Sequence, residues 1–226
     1  LEVNSETDFV AKNDRFLALL DEAAKTIFNS NAKTVEEALA LPTAEGTLND
    51  SFIGAVAVIG EKITLRRFEI VEKSDDELFG SYTHQGGRIV AVTVVKGTTD
   101  AQVAKNMAMQ VASMNPKFVD EDGVDPEYIE NEKKILTEQV LNEGKKPEMV
   151  EKIVAGKIKK ELKEVCLVDQ PFVKDSDLSV GQYVEKCAKE IGKDMKVVSM
   201  VRFEVGEGIE KKEDDFAAEV AAAVQG

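Results

Sequence analysis

Apolar residues recur at helical spacing through much of the chain. Between residues 9 and 30 the positions Phe16, Leu17, Leu20, Ala24 and Ile27 predict a helix, preceded by capping candidates Ser5, Thr7 and Asp8. A short helix is expected at 35–41, stopped by Pro42, and another at 52–59, closed by Gly60. The pattern then changes to alternation. Residues 63–72 predict a strand with Leu65, Arg67, Glu69 and Val71 on one side. Two more strands, 80–84 and 88–96, are joined through Gln85-Gly86-Gly87, a hairpin signal. Helical spacing returns at 100–114 and ends at Asn115-Pro116.

Beyond residue 124 the periodicity is longer and more charged. Asp125-Pro126-Glu127 is a cap followed by proline at the first helical position, and Ile129, Leu136 and Val140 form one stripe. Gly144-Lys145-Lys146-Pro147 is a turn, after which Val150, Val154, Ile158, Leu162 and Val165 form the stripe of a returning helix. Two charged helices with narrow apolar seams and a short link predict an antiparallel hairpin, close to a coiled coil. Phe172-Val173 then reads as a strand, 180–191 as a helix, 197–205 as a strand and 214–224 as an alanine-rich helix.

Three strings recur in the same order. Val10-Ala11-Lys12-Asn13 matches Val103-Ala104-Lys105-Asn106, Ile59-Gly60 matches Ile191-Gly192, and Arg67-Phe68-Glu69 matches Arg202-Phe203-Glu204. The offset between copies grows by about the length of the helical hairpin, which points to a duplication with an insertion. The fold class expected is therefore α+β. Two related subdomains, 1–97 and 98–212, carry small antiparallel sheets packed on helices, and the inserted hairpin interrupts the second at about 125–165. A C-terminal helical module follows at 213–226.

Composition narrows the function. Of 226 residues, 43 are acidic and 29 basic, a net charge of −14 that argues against binding nucleic acid through its phosphates. The basic group Lys157, Lys159, Lys160 and Lys163 alternates with acids, as on a solvated helix face. Cys166 and Cys187 lie far apart with no CxxC pair, so they read as structural thiols in a reducing cytosol and not as a metal site. His84 is the single histidine, and neither GxxxxGK nor GxGxxG occurs, so no cofactor is expected. An enzyme would have to rest on Asp8 with His84. No apolar run approaches the ~20 residues of a membrane span, and a cytoplasmic setting is expected. Leu1-Glu2-Val3 reads as the tail of a strand, so the chain is expected to begin inside a longer protein.

The duplication bears on Phe9. It shares a helical face with Phe16, Leu20 and Ile27, so it could start the core stripe or staple the helix. Its counterpart in the second copy is Gln102, which weakens the core reading and leaves it open beside the alternative, an exposed anchor at the helix start.

The string Thr7-Asp8-Phe9-Val10-Ala11-Lys12-Asn13 resembles the signature of the elongation factor Ts family. So, in the family's order, do Ile59-Gly60-Glu61 before Arg66-Arg67, Gly80-Ser81-Tyr82-Thr83-His84, Gln170-Pro171-Phe172-Val173, Arg202-Phe203-Glu204-Val205-Gly206-Glu207-Gly208 and Asp215-Phe216-Ala217-Ala218. The resemblance covers nearly the whole chain. It implies a guanine nucleotide exchange factor that acts on elongation factor Tu in translation elongation and catalyses no reaction itself. Thr7, Asp8, Phe9 and Val10 would enter the nucleotide-binding domain of that GTPase and dislodge the Mg²⁺ that holds GDP. Ile59, Gly60 and His84 match positions lining the same contact. For these the competing readings are a helix cap with a core isoleucine and a polar hairpin end. Phe172, Val173 and Phe216 match further contact regions, or else a sheet strand and packing of the terminal helix. The family's hairpin and C-terminal half also serve dimer or two-to-two assembly, and its N-terminal helical domain is missing from this sequence. A purely structural assembly role is the other alternative.

Overall fold

In the computed structural model, which describes residues 1–209, the chain enters through β1 (Glu2–Asn4). The helix expected at 214–224, and Phe216 with it, lie outside the described residues. The first long helix starts later than its periodicity suggests. Asn13 is extended and its side chain accepts the Arg15 N–H at 2.9 Å, so Asn13 is the cap and α1 spans Asp14–Phe28. Val10–Lys12 forms a separate 3-10 turn ahead of it, which takes Phe9 off the helix. The buried face of α1 is Phe16, Leu19, Ala23 and Ile27, whereas Leu17 and Ala24, expected inside, are exposed.

Capping boxes set the next two helices. Thr34 with Glu37 opens α2 (Val35–Leu39), and Thr47 with Asp50 opens α3 (Leu48–Ile59) after the small hairpin β2 (Pro42–Thr43) and β3 (Gly46–Thr47). Gly60 closes α3 in the left-handed region at φ 80°. β4 (Thr64–Arg67) pairs antiparallel with β1 and stops at Arg67, opposite Glu2. The strand expected to reach residue 72 is cut short because its one partner is three residues long. Val10, Phe16, Ala23, Leu48, Phe52 and Leu65 lie together in the first apolar core.

A second core forms on a three-stranded antiparallel sheet. β5 (Glu77–His84) and β6 (Ile89–Lys96) make the expected hairpin through Gln85–Gly87. α4 (Ala101–Met114) crosses the sheet. α5 (Pro126–Asn142) and α6 (Pro147–Val165) pack on each other through Val140, Val150 and Val154. β7 (Pro171–Phe172), β8 (Asp175–Ser179), α7 (Val180–Ile191) and β9 (Lys196–Glu204) complete it. The sheet order is β5-β6-β9, so the hairpin at 77–96 shares its core with α4, α7 and β9 rather than with α1 and α3. Ala91, Val95, Met107, Val111, Leu167 and Val180 are buried there.

Two stretches share one order of elements, β2-β3-α3-β4 and β7-β8-α7-β9. Each helix has a capping box at its start and a left-handed glycine, Gly60 or Gly192, at its end. In each, the first helical N–H bonds back to the residue before the hairpin proline: Leu48 to the Leu41 carbonyl at 2.8 Å, Val180 to the Gln170 carbonyl at 2.9 Å. The first string does not match in structure, since Val10–Lys12 is a 3-10 turn while Val103–Asn106 lies inside α4.

The two cores meet at Glu2, which is 4% exposed. Its carboxylate accepts from Arg66 at 2.9 Å, from Arg67, and from the Gly206 N–H at 3.1 Å, while Arg67 also lies over the Phe203 ring. Burial pushes the Glu2 carboxyl up, but hydrogen bonds from Arg66, Gly206 and Arg67 outweigh it and hold the group below the usual glutamate range. A depressed carboxyl contributes stability above its unfolded value and loses it as pH falls through the folded one. Glu2→Gln is therefore expected to cost about 1.5–3 kcal/mol at neutral pH and to flatten the acid side of the stability profile. Urea unfolding from pH 3 to 7 measures both.

Candidate functional site

The loop between β1 and the 3-10 turn is short and held at both ends. On its far side Val10 is 6% exposed, locked into the first core. At its centre the Thr7 N–H donates to Glu61 Oε2 at 3.0 Å and the Thr7 hydroxyl to Glu61 Oε1 at 2.7 Å. The Ser5 hydroxyl donates to the Thr7 carbonyl at 3.0 Å, and the Phe9 carbonyl accepts the Lys12 N–H at 3.2 Å. Between these anchors Asp8 and Phe9 face solvent.

Phe9 is 83% exposed, the most exposed large apolar side chain among the described residues. The core-stripe reading of this ring is thereby set aside. Phe16 occupies the first buried position of α1, and Phe9 precedes the 3-10 turn that separates it from that helix. Val10 is the part of the motif that packs inward.

Ile59 is half-buried against the first core, and exposed Gly60 caps α3 immediately before Glu61. Their structural role and their position beside the Thr7 loop hold together. His84 is exposed at the end of β5, with its ring stacked on Tyr82 at 6.1 Å between centroids. The hairpin tip that follows it lies across a cleft of ≈ 460 Å³ from the loop. Thr7, Asp8 and Leu17 line one side, and Gln85, Arg88 and Phe203 the other. The fold thus brings Thr7 and Asp8 opposite the tip of the hairpin that carries His84.

Phe172 does not join this surface. It is 3% exposed, its ring stacks on Tyr183 at 4.2 Å between centroids, and it belongs to the second core. Its expected contact role is corrected on that ground: a sealed ring offers a partner nothing. Val173 is 39% exposed, with its N–H bonded to Gln110 at 2.8 Å. Sequence reasoning placed Glu61 within a matching string but did not see that it holds Thr7. Its one local signal is a carboxylate directly after a glycine cap.

Among the described residues no group of His, Cys, Asp or Glu could hold a metal ion, and no helix is long and apolar enough to cross a membrane. The features that stand out are an exposed aromatic on a tethered loop and a hairpin tip facing that loop. The family model described as "Elongation factor TS" matches residues 6–207. The chain is 51% identical over 220 residues to the elongation factor Ts of Limosilactobacillus fermentum, covering 97% of this chain and 73% of that relative. The chain belongs to the elongation factor Ts family, the nucleotide exchange factors of elongation factor Tu in translation elongation.

Proposed function

We propose that this chain promotes GDP release from elongation factor Tu by seating the Thr7–Val10 turn in the nucleotide-binding domain and displacing the Mg²⁺ that holds GDP. The supporting observation is Phe9 at 83% exposure on a loop fixed at Thr7 and Val10. Phe9 is the wedge, gaining about 1.5–3 kcal/mol when its ring leaves water. Asp8 brings a carboxylate close to a cation that demands near-ideal octahedral geometry, so a small displacement of its ligands weakens it. Val10 anchors the turn. Ile59, Gly60 and His84 flank the wedge as further contacts, and Val173 lies on a separate exposed patch.

The energetics are those of linkage. If the GTPase binds GDP in one state and this chain in another, each weakens the other by the same factor, tenfold for every ~1.4 kcal/mol of coupling. The chain needs no contact with GDP. It needs only to bind better the state in which the Mg²⁺ site is disturbed.

The test is photochemical. Benzoylphenylalanine at position 9, mixed with elongation factor Tu bound to GDP, is expected to crosslink to the nucleotide-binding domain beside its Mg²⁺ site. Crosslinks confined to other domains, or made within this chain alone, would contradict the reading.

A further inference from the structure

We infer that Glu61 is a positioning residue for nucleotide exchange: its carboxylate clamps Thr7 and so presents Asp8 and Phe9 in one rigid surface with Ile59 and Gly60. The inference rests on the exchange reading above and adds to it the group that orders the wedge before docking. Pairing of β1 with β4 ends at Asn4 opposite Thr64. Beyond that point the hydrogen bonds joining the loop to the end of α3, among the described residues, are the two that Glu61 accepts. Both carboxylate oxygens are occupied, one by the Thr7 N–H at 3.0 Å and the other by its hydroxyl at 2.7 Å.

The reach across 54 positions in sequence depends on the residue before it. Gly60 adopts φ 80°, which turns the chain out of α3 and delivers Glu61 beside the loop. Thr7 in turn holds Ser5 through its carbonyl at 3.0 Å. One half-buried side chain therefore restrains the stretch from Ser5 to Phe9, whose other anchor is Val10 in the core. An exposed aromatic on a loose loop would have to be ordered at the moment of docking, and that lost freedom would be subtracted from affinity. A loop held beforehand avoids the loss.

The prediction separates docking from the release step that follows it. Glu61→Ala is expected to raise the concentration of chain that half-saturates GDP release by about tenfold, the factor set by ~1.4 kcal/mol. The rate at saturation should stay unchanged, because the docked partner then orders the loop itself. In the free chain, amide hydrogen exchange at Thr7 should quicken by a similar factor with the unfolding midpoint unchanged. Glu61→Gln should recover most of the effect, since its amide oxygen can accept the Thr7 N–H and its amide nitrogen can donate to the hydroxyl. Wild-type protection at Thr7 in Glu61→Ala would overturn the clamp, as would a Glu61→Gln chain as impaired as Glu61→Ala. If wild-type chain fails to accelerate GDP release at all, the exchange reading falls, while amide exchange at Thr7 still decides whether the clamp exists.

Discussion

Replacing Phe9 with alanine is expected to lower the second-order rate of chain-stimulated GDP release from elongation factor Tu by about 10- to 150-fold. The range is the 1.5–3 kcal/mol gained on burying a phenylalanine side chain, converted at ~1.4 kcal/mol per tenfold. The fold should not notice. At 83% exposure the ring buries little in the free chain, so unfolding midpoint and circular dichroism should match the wild type. Phe9→Leu should fall between, keeping apolar volume while losing the flat ring. A matched loss of folding stability and exchange would return Phe9 to the core and remove the wedge.

The opposite pattern is expected at Gly80. A Cβ built there lies 1.9 Å from the Ala104 carbonyl oxygen, 2.3 Å from its carbon and 2.7 Å from the Thr93 hydroxyl. The obstacle is α4 backbone, which cannot rotate aside as a side-chain tip can. Relief requires α4 to lift from the sheet, breaking the 3.2 Å bond from the Thr93 hydroxyl to the Ala104 carbonyl and opening the second core. Gly80→Ala should therefore cost at least ~3 kcal/mol, the upper range for overpacking. Urea unfolding would read the loss. Exchange should fail along with folding, since β5 also carries the hairpin that ends in His84. A Gly80→Ala chain of wild-type stability would show that α4 and β5 approach less closely than described.

These two sites mark the boundary between what was legible in sequence and what was not. Signals local to a helix end read well. Asp125-Pro126 opens α5, Gly60 and Gly192 close α3 and α7, and α7 spans the expected 180–191. Such signals work because the capping group lies within a few residues of the backbone it satisfies. The start of α1 misled because Ser5, Thr7 and Asp8 are plausible caps by residue type, whereas the cap is Asn13, whose side chain accepts the Arg15 N–H. The burial phase of this helix also differs from the expected stripe: Leu19 is inside and Leu17, two positions earlier, is outside.

Non-local pairing was the least visible. Nothing near residues 77–96 indicates that their hairpin joins β9, more than a hundred residues on. Phe172 had two readings, a partner contact or a sheet strand, and the ring of Tyr183 from α7 that stacks on it is eleven positions away and not signalled locally. Of the recurring strings, Ile59-Gly60 and Ile191-Gly192 fall at matching helix ends, each closed by a left-handed glycine. For the site, Phe9 had two readings that periodicity could not separate, and the break in the helix at Asn13 separates them. The Thr7–Glu61 tie had no periodic signature at all, as it joins two loops through one side chain.

The measurement that bears most directly on the central claim is stopped-flow release of a fluorescent GDP from elongation factor Tu on addition of the wild-type chain. The expected release rate climbs with chain concentration toward saturation, and excess Mg²⁺ slows it at a fixed concentration of chain. A rate equal to spontaneous release at every concentration of properly folded chain would contradict it.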